Sequence, residues 1–126
     1  MALADAARVL LAGIRLANGG VALVAPSAFA RRAGVDAETS PAALYALRLF
    51  GIRTVLIGLD LLRRDPAARA QALRIAPVIH VSDVASAAIA GNQKQLPAKA
   101  ARTAVAISGV NVVLALVARR GSRATG

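Results

Sequence analysis

The chain has no cysteine, no tryptophan, one methionine and one histidine in 126 residues. Without cysteine there is no disulfide and no thiolate-held metal. A single histidine argues against a His-rich metal site. Aromatic residues make up 2% of the chain, two Phe and one Tyr. A water-soluble core of this size normally draws on several aromatics, because they bury the most area. Acidic side chains are also scarce: six stand against sixteen Lys and Arg, a net charge of +10. The motifs of familiar chemistry are missing too. The sequence has no phosphate-binding glycine loop, no HExxH, no paired carboxylates near a nucleophile and no lipidation signal. No cofactor or metal site is expected. The N-terminal MALADAARVLLAGIRLANGG lacks a basic leader followed by a clean apolar run and a cleavage site. It reads as a first membrane span, not a removable signal.

What is abundant is aliphatic. Hydrophobic residues are 57% of the chain, and the mean hydropathy is +0.60. The apolar mass is Ala, Leu, Val and Ile, a mix suited to closely packed helices in lipid. Four apolar segments stand out, at about residues 6–25, 42–62, 70–90 and 98–118. Each has about 20 residues, the length a helix needs to cross ~30 Å of hydrocarbon. Pro26 closes the first segment. Ser40 and Pro41 mark the second as N-cap and first helical residue, and Arg63-Arg64-Asp65-Pro66 ends it. Gly91-Asn92 ends the third, and Pro97 and Arg119-Arg120-Gly121 frame the fourth. The expected fold is all-α: a four-helix transmembrane bundle with short loops, forming one integral membrane domain over residues 1–126.

A soluble helical bundle is the alternative, because the third segment holds Arg74, Pro77, His80 and Asp83. Against it, the second and fourth segments lack the charged face of a soluble helix. The basic excess also raises nucleic acid as a partner. Its Arg residues, however, fall mostly between apolar runs instead of on one face or tail, so no nucleic acid is expected. Flanking charges of this kind anchor spans and set orientation. Arg8, Arg63, Arg64, Arg69, Arg74, Arg119, Arg120 and Arg123 lie on one side, and Arg31, Arg32, Lys94, Lys99 and Arg102 on the other, eight against five. The positive-inside rule then places both termini in the cytoplasm, in a bacterial inner membrane.

Several polar residues lie within the spans. Arg15 and Arg53 are near the middle of theirs, where a charge costs ~2.5–3.5 kcal/mol on insertion scales. Such residues face a bundle interior and find partners. The in-span acids are Asp60 and Asp83. Asp60 follows Arg53 by two turns on the same face, ~10 Å along the axis, and needs a bridging group to pair with it. Asp83, on another helix, can meet either Arg. His80 and Asp83 share a face at i and i+3, one turn after the kink-favouring Pro77. They form either a proton-transfer pair or a polar cluster that fixes helix register. Asn18 lies three residues after Arg15 and can share its site. Asn18 and Asn111 can each bridge helices by a hydrogen bond. Tyr45 suits an interfacial anchor.

A weak repeat links residues 11–23 to residues 49–61 at an offset of 38. The matches are Leu11/Leu49, Gly13/Gly51, Ile14/Ile52, Arg15/Arg53, Gly20/Gly58 and Leu23/Leu61. It would place the two Arg residues near the midplane on antiparallel helices, unless it is coincidence. Gly13, Ala17 and Gly20 form one small face and Gly51 and Gly58 another, suited to close helix packing or to making room for a ligand.

RLFGIRTVLIGLDLLRRD at residues 48–65 carries a resemblance, with the Gly-Ile-Arg of the first span, the Pro26 loop and HVSDVASAAIAG. Over most of its length the chain resembles a family of small bacterial four-span membrane proteins, domain of unknown function 4267. The resemblance implies a fold and a membrane location, and no catalytic residue. It also implies an acid near position 80, where this chain has His80.

Three functional readings follow. In the first, this is a small integral membrane protein with an accessory or interaction role. Arg15, Asn18, Arg53, Asp60, His80 and Asp83 then form a structural polar cluster, and the partners are the lipid bilayer and a membrane protein or a second copy of the chain. In the second, it is a membrane-embedded enzyme, carrier or binder of a small lipophilic molecule such as a polyketide, quinone or sterol-like lipid. Arg15 and Arg53 then hold an anionic or carbonyl group, and His80 and Asp83 move a proton. In the third, it is a basic soluble helical protein that binds nucleic acid.

Overall fold

The computed structural model describes residues 2–36 and 38–124, with side chains as far as Gly121. Arg123, counted above among the cytoplasmic charges, lies outside the described side chains. The described residues form five helices and no strand: α1 (Ala2–Val24), α2 (Pro26–Arg32), α3 (Pro41–Leu61), α4 (Pro66–Asn92) and α5 (Ala98–Ala124). Four of them, α1, α3, α4 and α5, are long and apolar enough to cross a membrane. The fold is an all-α bundle. Large aliphatics such as Leu10, Leu56, Val78 and Val113 are exposed on its outer surface, where lipid is the matching solvent.

Proline sets three of the helix starts. Pro26, Pro41 and Pro66 each sit in the first turn, where a missing N–H costs no helical hydrogen bond. Pro26 therefore ends α1 by opening α2, a short helix absent from the four-segment reading. Asp65 caps α4, its carboxylate accepting from the Ala67 amide at 3.1 Å. Ser40, expected to cap α3, makes no side-chain cap bond. Its ψ of 66° lies outside the extended geometry that aims a cap hydroxyl at the first turn. The other end of α3 is closed from outside: the Arg8 guanidinium donates to the Leu61 carbonyl at 2.7 Å. That satisfies one of the carbonyls every helix C-terminus leaves free. α4 runs on through Pro77.

α1 packs most extensively on α3, and α4 on α5. α1 and α5 join the two pairs, and α3 and α4 barely touch. The helices therefore run around the bundle as α3, α1, α5, α4, with a loose seam between α3 and α4. The α1–α3 contact is backbone on backbone. A Cβ on Gly51 would lie 2.6 Å from the Leu23 nitrogen and 2.8 Å from the Gly19 carbonyl oxygen. One on Gly19 would lie 2.8 Å from the Val55 nitrogen. Only glycine admits that approach. Gly58 packs in the same interface, against Leu16 and Ala12. Gly13 and Gly20 do not take part, since a Cβ on either meets nothing. The small face of α1 used for packing centres on Gly19 instead.

One end of the bundle is dry. Ala7, Leu11 and Ala12 of α1 cluster there with Leu61, Leu73, Ala76, Ala115 and Ala118. The start of α1 and the end of α5 share this cluster, so both termini emerge at the same end. Arg15, Arg53, Asp83 and the cavity lie above it.

Candidate functional site

Three helices converge on Asp83 at mid-height. Arg15, buried on α1, donates from Nη2 to Asp83 Oδ2 at 3.4 Å. Arg53, on α3, donates from Nη2 to Asp83 Oδ1 at 3.5 Å. His80, one turn before Asp83 on α4, has its Nδ1 3.8 Å from Asp83 Oδ2. The first two contacts are longer than an ordinary N–H···O bond and the third is not a hydrogen bond. Asp83 thus holds two guanidiniums loosely. The Arg15 side chain is 4% exposed and that of Arg53 is 51% exposed. The Arg53 guanidinium lies 6.0 Å from the Phe50 ring centroid, close enough for a cation–π contribution.

Asp60 does not join this group. It lies in the last turn of α3, exposed, and pairs with Arg63 at 3.5 Å. Two turns of helix carry it away from Arg53 toward the end of the bundle. Asn18 stands beside the cluster, on the cavity wall.

The cavity has a volume of about 300 Å³ and is partly open. Arg15, Asp83 and Asn111 form its polar end at mid-bundle, with Asn18 nearby. Phe29 of α2, Leu47 and Phe50 of α3, and Ala104 and Ile107 of α5 supply its apolar walls. Ser86 and Ser108 add two hydroxyls. All five helices contribute. Both phenylalanines of the chain are here, their centroids 6.1 Å apart. From Ala104 to Asn111 the wall spans seven residues of helix, ~10 Å at 1.5 Å per residue.

Buried polar atoms around this layer lack partners. Asn111 is fully buried, and neither its Oδ1 nor its Nδ2 makes a hydrogen bond. Arg15 Nε is also unpaired. Thr54 Oγ1 and both His80 nitrogens are in the same condition, but those two residues are not on the cavity wall. Unmade hydrogen bonds on buried groups are costly, and each calls for an explanation. Asn111 and Arg15 belong to the cavity wall, but their unpaired atoms have no surface open to it. His80 reaches no cavity surface, so any effect it has there passes through Asp83.

The aromatic walls and the serines carry no sequence pattern that marks a site. The faint signals are that Phe50 falls near Arg53 and that Ser86 and Ser108 interrupt aliphatic runs. No protein family, no curated protein and no solved structure matches the chain.

Proposed function

We propose that this is a multi-pass membrane protein that binds a small amphiphilic molecule in the cavity between its helices, with the polar part of the ligand at Arg15 and Asn18. The observation that carries this reading is the cavity itself, about 300 Å³, lined by all five helices and with the Arg15–Asp83 pair on its wall. The cavity is at the lower end of the usual ligand range and too small to enclose a sterol or a long quinone tail. Its occupant is small, or leaves its tail outside the partly open cavity. The setting would be a bacterial inner membrane, with both termini cytoplasmic and the polar layer reached from within the bilayer.

The second reading is the accessory role, with the cluster purely architectural and a membrane protein or a second copy as partner. It is favoured by Asp83, which ties α4 to both α1 and α3. The two readings separate experimentally. Protein purified in mild detergent is analysed by native mass spectrometry, beside Ala104→Phe, which fills the cavity from α5. A small molecule at about one per chain in the wild type, reduced at least tenfold in the variant, is the expected result. Bulk lipid alone in both proteins would sink the ligand reading and leave the architectural one.

A further inference from the structure

We infer that the cavity takes an uncharged head group, an alcohol or a carbonyl, held by Asn18, Ser86 and Ser108 and resting on the Arg15–Asp83 pair. The inference rests on the ligand-binding reading and names the class of ligand.

Helix direction sorts the polar wall into two layers. α1 and α4 rise from the dry end and α5 descends to it. Asn18 is therefore one turn above Arg15, and Ser86 is one turn above Asp83. Ser108, on the descending α5, is one turn above Asn111. One such step is ~4.5 Å of helix. Three helices each supply a pair three residues apart, and all six side chains line the cavity. The lower layer is closed. Arg15 and Asn111 are buried there, and Arg15 is paired with Asp83 at 3.4 Å. The upper layer is open: Ser86 is exposed, and Asn18 and Ser108 are half-buried. None of these three side chains hydrogen-bonds to another described residue.

Charge decides the class of head group. Arg15 and Asp83 are the charged residues of the wall, and they cancel. Arg53, the other partner of Asp83, is not on the wall. What the upper layer offers is one amide and two hydroxyls, which donate and accept without charge. A carboxylate or an ammonium entering here finds no free counter-ion, and an unpaired charge within a span is costly. A hydroxyl or carbonyl brings no charge, and the amide and hydroxyls replace the hydrogen bonds it gives up to water.

The apolar part of the ligand lies farther up. Leu47 is six residues above Arg53 on the descending α3, and Ala104 is seven above Asn111 on α5. Both steps are ~9–10 Å. With Phe29 they line the end of the cavity away from the ion pair. A neutral head below and an apolar body above match this order.

The test uses three probes with one ring and different heads: cyclohexylmethanol, cyclohexanecarboxylate and cyclohexylmethylamine. Each is titrated by isothermal calorimetry into the full chain in a neutral maltoside detergent at pH 8, where the second and third are charged. The same titration into Ala104→Phe, with the cavity filled, is subtracted to remove uptake by the micelle. The alcohol is expected to bind at least tenfold more tightly than either ion. In Ser86→Ala/Ser108→Ala it should lose at least fivefold in affinity, with the thermal midpoint unchanged. Tighter or equal binding of the carboxylate or the amine would overturn the uncharged head and leave the cavity reading intact. Undiminished binding of the alcohol by the double variant would overturn the role of the two serines. Binding of none of the three above the Ala104→Phe background would overturn both the inference and the ligand reading.

Discussion

At the scale of single residues, Asp83 answers two charges of unequal burial. Arg15 is enclosed, and its only ion-pair partner among the described residues is Asp83. Arg53 is half exposed and lies near the Phe50 ring. Removing the acid leaves a buried guanidinium without compensation, whereas removing Arg53 leaves Asp83 still paired with Arg15. Breaking a buried pair from one side costs about 3–5 kcal/mol, and an exposed pair contributes about 0–1 kcal/mol. Asp83→Asn is therefore expected to lower the thermal midpoint in detergent far more than Arg53→Gln does. Equal losses would mean that the two arginines carry equal weight and that burial does not rank them. Much of this pairing was legible in the chain. Intramembrane charges seek partners, and few acids were available. What could not be read was that Asp83 serves both arginines while Asp60 serves neither. That depends on helix rotation, and the Arg53–Asp60 spacing leaves rotation open.

At the scale of elements, the repeat between residues 11–23 and 49–61 and the glycines teach the limit of pattern. Arg15 and Arg53 do approach one acid from two helices. Their equivalent neighbours, however, behave differently: Leu11 is fully buried and Leu49 is 51% exposed. Gly51 touches backbone where Gly13 faces open space. Spacing fixes which residues share a face, and only packing fixes which face turns inward. The α1–α3 crossing gives a direct check. Gly51→Ala places a methyl group within 2.6 Å of the Leu23 nitrogen, and the backbones must separate to admit it. Overpacking of this kind costs about 1–3 kcal/mol. Gly13→Ala meets nothing and favours the helix by up to about 1 kcal/mol. The expected outcome is a clear fall in thermal midpoint for Gly51→Ala and no fall for Gly13→Ala. A neutral Gly51→Ala would mean that α1 and α3 do not cross this closely.

At the scale of the whole molecule, length and apolar content made the four spans legible, because the ~30 Å hydrocarbon core sets helix length directly. The short α2 was hidden by its brevity: seven residues that open on Pro26 and run into a loop carry no period to read. The cavity was hidden because it is assembled from all five helices and belongs to none. Orientation is the property of the whole that loop charge addresses. Eight basic residues flank the spans on the side of the termini and the α3–α4 connection, against five on the other side. The absence of cysteine makes the test clean, since each introduced thiol is the only one. Glu38→Cys before α3 and Gln95→Cys before α5 are exposed positions on one side, and Ala67→Cys at the start of α4 is exposed on the other. In intact spheroplasts, a membrane-impermeant maleimide should label the first two and spare the third until the membrane is opened. The reverse pattern would place the termini outside and turn the dry Ala/Leu end of the bundle toward the periplasm. The cavity would then occupy the cytoplasmic half, and its ligand would be drawn from the inner leaflet instead of the outer one.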